Sequence, residues 1–468
     1  MIRTLICLFA LAAAGFAQKP NFVVLLADDL GYGDLGSYGS MTIRTPRLDR
    51  MAAEGVRFTS FYAGAPFCSP SRAALLTGRY PIRAGVPNVL FPTETTGLPP
   101  SEATIAEMLR PAGYATAAIG KWHLGFPEPL RAQRQGFDFF YGLPYSNDMY
   151  KLGPGEEFRA QHARWELPLL HDDEILEAPV EQHTLTERYT QRALDFIRTN
   201  RERPFLLYLP HTFPHSPLYA AKDREGRSPH GLYADVVEEL DASTGRILDL
   251  LTELEIDRRT LVVFTSDNGS HEAQPGPKSR FGERSAGGDN GPLRGRKGNT
   301  FEGGVRVPGI FWMPGRIQAG GVIDQVASQL DILPTIAEMA GVQPPSGRTI
   351  DGRSLLAELE GEPAGPGFRP YFYYFGSQLQ AVRIGRWKLF VQIDAYPERP
   401  PSLWYQLQPE LFERHYRLQP APALYDLDED IGETTDVAAE HPDVVERLTA
   451  QARAFDAALQ TDKAEMVP

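Results

Sequence analysis

The sequence predicts an α/β protein: a mostly parallel sheet flanked by helices, followed by a smaller C-terminal α+β subdomain. Three observations carry this. Short apolar runs recur along the chain up to Phe264, helical patterns lie between them, and from about Gly367 the pattern changes to a strand pair and a terminal helix. Strands alternating with helices imply a parallel sheet with helices on both faces, because each crossover must return along a face of the sheet.

The first run, Asn21 to Ala27 (NFVVLLA), is apolar almost throughout, as a strand buried on both faces is. Asp28, Asp29 and Gly31 stand at its end. Pro46 to Arg57 and Thr104 to Ala112 predict short helices. Ala115 to Gly120 (ATAAIG) ends in Lys121, Trp122 and His123. Phe205 to Leu209 (FLLYL) ends in Pro210 and His211. Tyr233 to Leu254 places Val236, Val237, Leu240, Ile247, Leu248 and Leu251 at helical spacing. Leu261 to Phe264 (LVVF) leads into Ser266, Asp267, Asn268 and Gly269. Ligands of such sheets sit beyond the carboxyl ends of the strands. Asp28, Asp29, Lys121, His123, His211, His215, Asp267 and Asn268 are therefore expected to converge at one edge. Later, Gln380 to Val391 predicts two strands around Gly385-Arg386, and Val437 to Leu459 a terminal helix. The expected division is a signal peptide over 1–17, a large α/β domain over 18–365 and a subdomain over 366–468, with the boundary in the Gly/Pro stretch Gly361 to Gly367.

Of the 468 residues, 42% are hydrophobic and 23% charged, which is enough apolar material for a large core. The formal net charge of −13 argues against a non-specific nucleic-acid binder, which needs a basic surface. Arg3, the short apolar stretch Leu5 to Ala14 and the small residues of Gly15-Phe16-Ala17 predict a cleavable signal peptide, with the mature chain starting near Gln18. That stretch is shorter than the roughly 20 residues a membrane span needs, and no later stretch is apolar enough. The chain is therefore expected to be secreted or periplasmic, with no stable membrane insertion. Of its two cysteines, Cys7 lies in the signal segment, so the mature protein keeps only Cys68 and no internal disulfide. Cys68 is either a buried inert thiol or chemically special.

Asp28-Asp29 and Asp267-Asn268, each after a strand, supply hard oxygen donors. Calcium takes about six to eight such ligands, whereas zinc prefers His and thiolate. Asp-Asn-Gly is also an ordinary turn; two such groups at strand ends favour a metal. His123 and His215 are candidates for proton exchange near neutrality. Pro214 and Pro217 restrict the chain around His215, which favours it over His211, the alternative. Arg72, Lys121 and Lys297 either surround a metal-bound anion, where cations stabilise developing charge, or are solvated surface charges.

Cys68-Ser69-Pro70-Ser71-Arg72, followed by Leu76-Thr77-Gly78-Arg79, resembles the Cys-x-Pro-x-Arg signature of type I sulfatases. Gly113 to His123 is similar to the second signature of that family. Leu293 to Arg306, with Lys297 inside it, is similar to the stretch around its active-site lysine. Ala423 to Leu427 extends the likeness, which runs from Asn21 to about Asp436 and is nearest the arylsulfatase A and N-acetylgalactosamine-6-sulfatase branch. The family's animal members often carry disulfides, which points here to a bacterial-type member.

The resemblance implies an alkaline-phosphatase-like fold and a sulfuric ester hydrolase. It implies that a maturation enzyme converts Cys68 to formylglycine, whose hydrate offers one hydroxyl to attack sulfur and a second to expel sulfate afterwards. It matches Asp28, Asp29, Asp267, Asn268 and the modified Cys68 to calcium ligands, and Arg72 to the residue that holds the formylglycine. Lys121 and Lys297 match sulfate-binding lysines, with Ser146 on the same side. His123 matches the base that restores the aldehyde, and His215 the group near the leaving oxygen. The expected substrate is a sulfated carbohydrate or an aryl sulfate. The alternatives are a phosphonate monoester or phosphodiester hydrolase of the same superfamily, or a sulfated-glycan binding protein. Specificity is expected in the loops Pro87 to Pro100, Asp148 to Leu176 and Gly276 to Asp289 and in the C-terminal subdomain, with Tyr150, His162, Trp165, Trp404 and His415 as candidate contacts.

Overall fold

The computed structural model describes residues 19–149, 166–271, 281–363, 368–391 and 421–464. In chain order the strands are β1 (Asn21–Ala27), β2 (Val56–Phe58), β3 (Phe61–Tyr62), β4 (Ala115–Lys121), β5 (Phe139–Leu143), β6 (Leu169–His171), β7 (Glu174–Glu177) and β8 (Phe205–Pro210). They continue with β9 (Thr260–Ser266), β10 (Gly309–Trp312), β11 (Gly321–Ile323), β12 (Ala327–Ser328), β13 (Tyr371–Phe375), β14 (Gln378–Ile384), β15 (Trp387–Phe390) and β16 (Ala423–Asp426). Ten of them make one sheet in the order β11-β2-β10-β9-β1-β8-β4-β5-β6-β7. Its centre, β9-β1-β8-β4-β5, is parallel throughout. β10 joins antiparallel on one side, and β6 and β7 form an antiparallel margin on the other.

The four apolar runs are β1, β4, β8 and β9, and their continuity reflects burial on both faces. Val23 and Leu25 of β1 face one core, with the helices Pro46–Glu54, Leu185–Asn200 and Leu232–Glu253. Phe22, Val24 and Leu26 face the other, with the helices Cys68–Thr77, Ile105–Leu109 and Ile332–Ala340. Each such side chain fully buried contributes on the order of 1.5–3 kcal/mol. A charge in place of Val24 would break both β1 and the core behind it.

The helix expected over Pro46 to Arg57 stops at Glu54, because Gly55 turns the chain into β2. The terminal helix begins at Pro442 rather than Val437, since the Val437 amide is used by the Leu424 carbonyl at 2.9 Å. Proline suits the first helical turn, where no amide is needed. β14 and β15 are the predicted strand pair. β13 and β16 flank them in a four-stranded antiparallel sheet. Among the described residues no helix is long and apolar enough to cross a membrane. The signal segment and Tyr150, His162, Trp165, Trp404 and His415 lie outside the described residues.

Candidate active site

Beyond the strand ends, the backbones of β1, β8 and β9 stay tied. The His211 amide donates to the Leu26 carbonyl at 2.8 Å, Asp28 to Phe213 at 3.1 Å, and Asp267 to Ala27 at 3.0 Å. These bonds bring Asp28, Asp29, Asp267 and Asn268 together under full burial. Asp29 holds a left-handed backbone (φ 66°) and so does His123 (φ 57°), conformations that cost a non-glycine residue energy and concentrate at functional sites. β4 and β5 deliver Lys121 and Ser146: Lys121 Nζ lies 2.6 Å from Asp28 Oδ2 and donates to Ser146 Oγ at 3.1 Å.

Cys68 opens a ten-residue helix that is buried along its whole length. Gln329 locks it down, accepting from Ser71 Oγ at 2.6 Å and from the Gly64 amide at 3.1 Å while donating to the Ser266 carbonyl at 2.7 Å. Cys68 Sγ lies 3.8 Å from Asp28 Oδ1, and Lys297 Nζ donates to it at 3.2 Å. One turn on, Arg72 donates to Asp28 at 3.0 Å and to Asp267 at 2.8 and 3.1 Å, and to the Lys121 carbonyl at 2.5 Å. Lys297 reaches both oxygens of Asp29, at 2.6 and 2.8 Å.

The two candidate histidines are held differently. His123 Nε2 donates to the Leu90 carbonyl at 2.8 Å, and its Nδ1 is buried with no hydrogen-bond partner. His215 Nδ1 meets Asn147 Oδ1 at 3.1 Å, and its Nε2 lies 3.7 Å from Asp29 Oδ2. His211 is buried with neither ring nitrogen bonded. Among the described residues, all the candidate catalytic, sulfate-binding and metal residues named from the sequence except His211 join one network or border it. Asn147, Gln329 and the Leu90 carbonyl were missed, because each acts across a long stretch of chain. The one available signal was the neighbourhood of Asn147 to Ser146.

Charge sets the protonation of the site. Burial pushes the Cys68 thiol up to about 12 against the pull of Lys121 and Lys297, so it is not a thiolate near neutrality. Burial, reinforced by Lys121 and Arg72, holds His123 well below the usual histidine range; burial with Lys297 and Lys121 does the same to His215. Burial would lower Lys297 too, but Asp29, Cys68, Asp28 and Asp267 outweigh it and keep the ammonium charged. Burial raises the Asp28 carboxyl, yet Lys121, Arg72 and Lys297 together bring it below its ordinary value.

The oxygen set fits a hard cation. Asn268 Oδ1 is buried with no partner, while its Nδ2 donates to Asp29 Oδ1 at 2.7 Å. Ligand atoms of Asp28, Asp29, Cys68 and His215 all lie within 4.8 Å of one another. Carboxylates and an amide oxygen suit calcium, whereas zinc prefers His and thiolate donors.

Charged ammonium groups facing a nucleophile position, with two neutral imidazoles beside them, suit a hydrolase that cleaves an anionic ester. Comparison with known proteins defines which one. Residues 20–342 match the family model described as Sulfatase, and residues 367–467 match that of the C-terminal region of aryl-sulfatase. The steryl-sulfatase of Mus musculus is 38% identical over 539 residues, covering 98% of this chain and 85% of that protein. The N-acetylgalactosamine-6-sulfatase of Homo sapiens is 39% identical, covering 96% and 88%. Among solved structures, the PsFucS1 sulfatase of Pseudoalteromonas sp. superposes with a TM-score of 0.81 at 29% identity, covering 96% of this chain and 92% of that one. The phosphonate monoester hydrolase of Agrobacterium radiobacter shares the fold, with a TM-score of 0.61 at 19% identity over 94% of this chain and 96% of that one. The chain belongs to the sulfatase family and is a sulfuric ester hydrolase.

Proposed function

We propose that this is an exported, calcium-dependent sulfatase that acts on a sulfated carbohydrate, with Cys68 matured to formylglycine. The observation that carries the reading is the placement of Cys68: first residue of a buried helix, 3.2 Å from Lys297 Nζ, with its thiol held protonated. A neutral thiol is a poor nucleophile. The same position occupied by a hydrated aldehyde would supply a hydroxyl nucleophile that regenerates after each turnover. Asp28, Asp29, Asp267, Asn268 and the modified Cys68 would hold calcium, which supplies a Lewis acid for the attacking oxygen and neutralises charge on the sulfate.

The protein's own groups do the rest. Lys121, Lys297 and Ser146 bind the sulfate oxygens and stabilise charge that grows on them. Arg72 fixes Asp28 and Asp267 through charge-assisted bonds. His123 takes a proton on Nδ1, because Nε2 is committed to Leu90. His215 serves the leaving oxygen. The division of the chain near residue 365 belongs to this proposal, as do the signal peptide over 1–17 and a secreted or periplasmic location. A maturation enzyme is the implied partner. A sulfated sugar is favoured because export suits scavenging of polysaccharides, and a solved relative with a TM-score of 0.77 was crystallised with a neocarrahexaose.

The test is the mass of the peptide spanning Cys68, from protein made in a host with the maturation enzyme. An aldehyde is expected. A free thiol in protein that still hydrolyses 4-nitrophenyl sulfate would overturn the formylglycine reading. Faster turnover of a phosphate diester than of the sulfate would favour the phosphodiesterase alternative.

A further inference from the structure

Asn147 sits at the carboxyl end of β5, buried beside Ser146, and touches the ring of His215. Its amide orientation is fixed by chemistry. Nδ2 lies 3.0 Å from the Pro217 carbonyl oxygen, which can only accept, so the atom facing it must be the nitrogen. Nδ2 also donates to Gln182 Oε1 at 3.0 Å, and Gln182 Nε2 donates back to the Asn147 carbonyl at 3.5 Å, which agrees with the same orientation. Both amide hydrogens are thereby used. The oxygen that remains, Oδ1, points at His215 Nδ1 at 3.1 Å. An amide oxygen only accepts, so Nδ1 must carry the hydrogen. In a neutral imidazole the other nitrogen is then bare. That nitrogen, Nε2, faces the reaction centre, 3.7 Å from Asp29 Oδ2.

We propose that Asn147 is a positioning residue that holds His215 as its Nδ1-protonated tautomer, so that only Nε2 exchanges the proton of the leaving oxygen. This rests on the reading of His215 as the group at that oxygen. As the sulfur–oxygen bond breaks, its electron pair stays on the leaving oxygen. Nε2, bare in the resting enzyme, takes up the proton that the attacking hydroxyl releases and passes it to that oxygen, so His215 returns to the neutral form that Asn147 selects. The water consumed by the hydrolysis supplies this proton overall. Asn147 also grips the Pro217 carbonyl, two residues beyond His215, so it holds the loop and the ring together.

The experiment has two arms. In the first, the ring nitrogens of protein labelled with 15N-histidine are observed by NMR, with the His215 signals identified by their loss in His215→Gln. The expected spectrum shows a hydrogen-bearing Nδ1 and a bare Nε2 in the wild type. A hydrogen on Nε2 in the neutral wild type overturns the proposal, whether or not Asn147→Leu folds. In the second, kcat/KM is measured for phenyl sulfate and 4-nitrophenyl sulfate, normalised to the aldehyde content of each preparation. The poorer phenolate leaving group needs the proton more. Asn147→Leu is expected to lose about 10-fold or more extra activity on phenyl sulfate, within the usual range of general-acid effects. Equal losses on the two esters in Asn147→Leu, with a selective loss in His215→Gln, would refute the role of Asn147 alone. Equal losses in His215→Gln itself would remove the underlying reading of His215, and this proposal with it.

Discussion

His211 and His215 stand four residues apart on one loop, yet the structure gives them different surroundings. His215 reaches Asp29 and Asn147, while His211 is enclosed with both ring nitrogens unbonded. Sequence could prefer His215 only through its proline neighbours, because the direction of a side chain on an irregular loop is set by distant packing. Burial alone lowers His211 to about 4. The folded value lies below the unfolded value of 6.5, so the folded state rejects the proton. The stability this represents is present above about pH 6.5 and is lost as pH falls through 4, on the order of 3 kcal/mol in all. His211→Leu should therefore lose less stability than the wild type between pH 7 and pH 4.5. Urea unfolding at the two pH values checks it, and parallel losses in the two proteins would show that His211 is not the acid-sensitive group.

At the scale of elements, the sequence was most legible where burial is symmetric. β1, β4, β8 and β9 are wholly buried and read as continuous apolar runs. The long helix Leu232–Glu253 read from the helical spacing of its apolar residues, although most of it is buried and a narrow stripe through Glu238, Ala242, Arg246, Asp249 and Glu253 is partly or fully exposed. β2, β6 and β10 escaped notice: three or four residues carry too little pattern, and pairing with distant strands decides them. The residues at the ends of the long strands were legible as a site for the same topological reason. The carbonyls and amides that orient them were not, since any residue type supplies those. β5 shows what spacing between strands requires. Gly142 pairs with Gly120 of β4, and a Cβ at Gly142 would lie 1.8 Å from the Gly120 carbonyl oxygen. Gly142→Ala should force β4 and β5 apart just where they deliver Lys121 and Ser146. A stability loss of about 2 kcal/mol or more is expected, with reduced kcat/KM on 4-nitrophenyl sulfate. An alanine variant with wild-type stability and activity would mean that the strands yield freely at this point.

Across the whole molecule, the C-terminal sheet is bound to the active-site edge by buried charge. Lys388 of β15 donates to the Thr300 carbonyl at 2.8 Å and pairs with Glu302 at 3.0 Å and Glu433 at 2.7 Å. Glu302 also accepts from Tyr62 at 2.5 Å, Tyr373 at 2.7 Å and Arg306 at 3.3 Å, and Glu433 accepts from the Glu302 amide at 2.7 Å. The loop clamped in this way carries Lys297. Its Lys297 amide donates to Ser270 at 3.0 Å and its Gly298 amide to Pro66 at 3.0 Å, so one loop touches the chain on either side of the site. Burial pushes Glu433 up to about 7 despite Lys388, whereas Glu302, buried as deeply but facing Lys388, Arg383 and Arg306, stays well below the carboxylate range. The cluster is thus balanced by Lys388. Lys388→Met should cost about 3–5 kcal/mol, the penalty for leaving a buried partner charge unmatched. It should also weaken activity by loosening Lys297. Adding Glu433→Gln removes one orphaned charge, so the double variant should recover part of the loss, a coupling that a double-mutant cycle in urea measures. If Lys388→Met costs less than about 1 kcal/mol, or the second substitution only adds to the damage, then packing of the aromatic side chains rather than charge balance joins the two sheets.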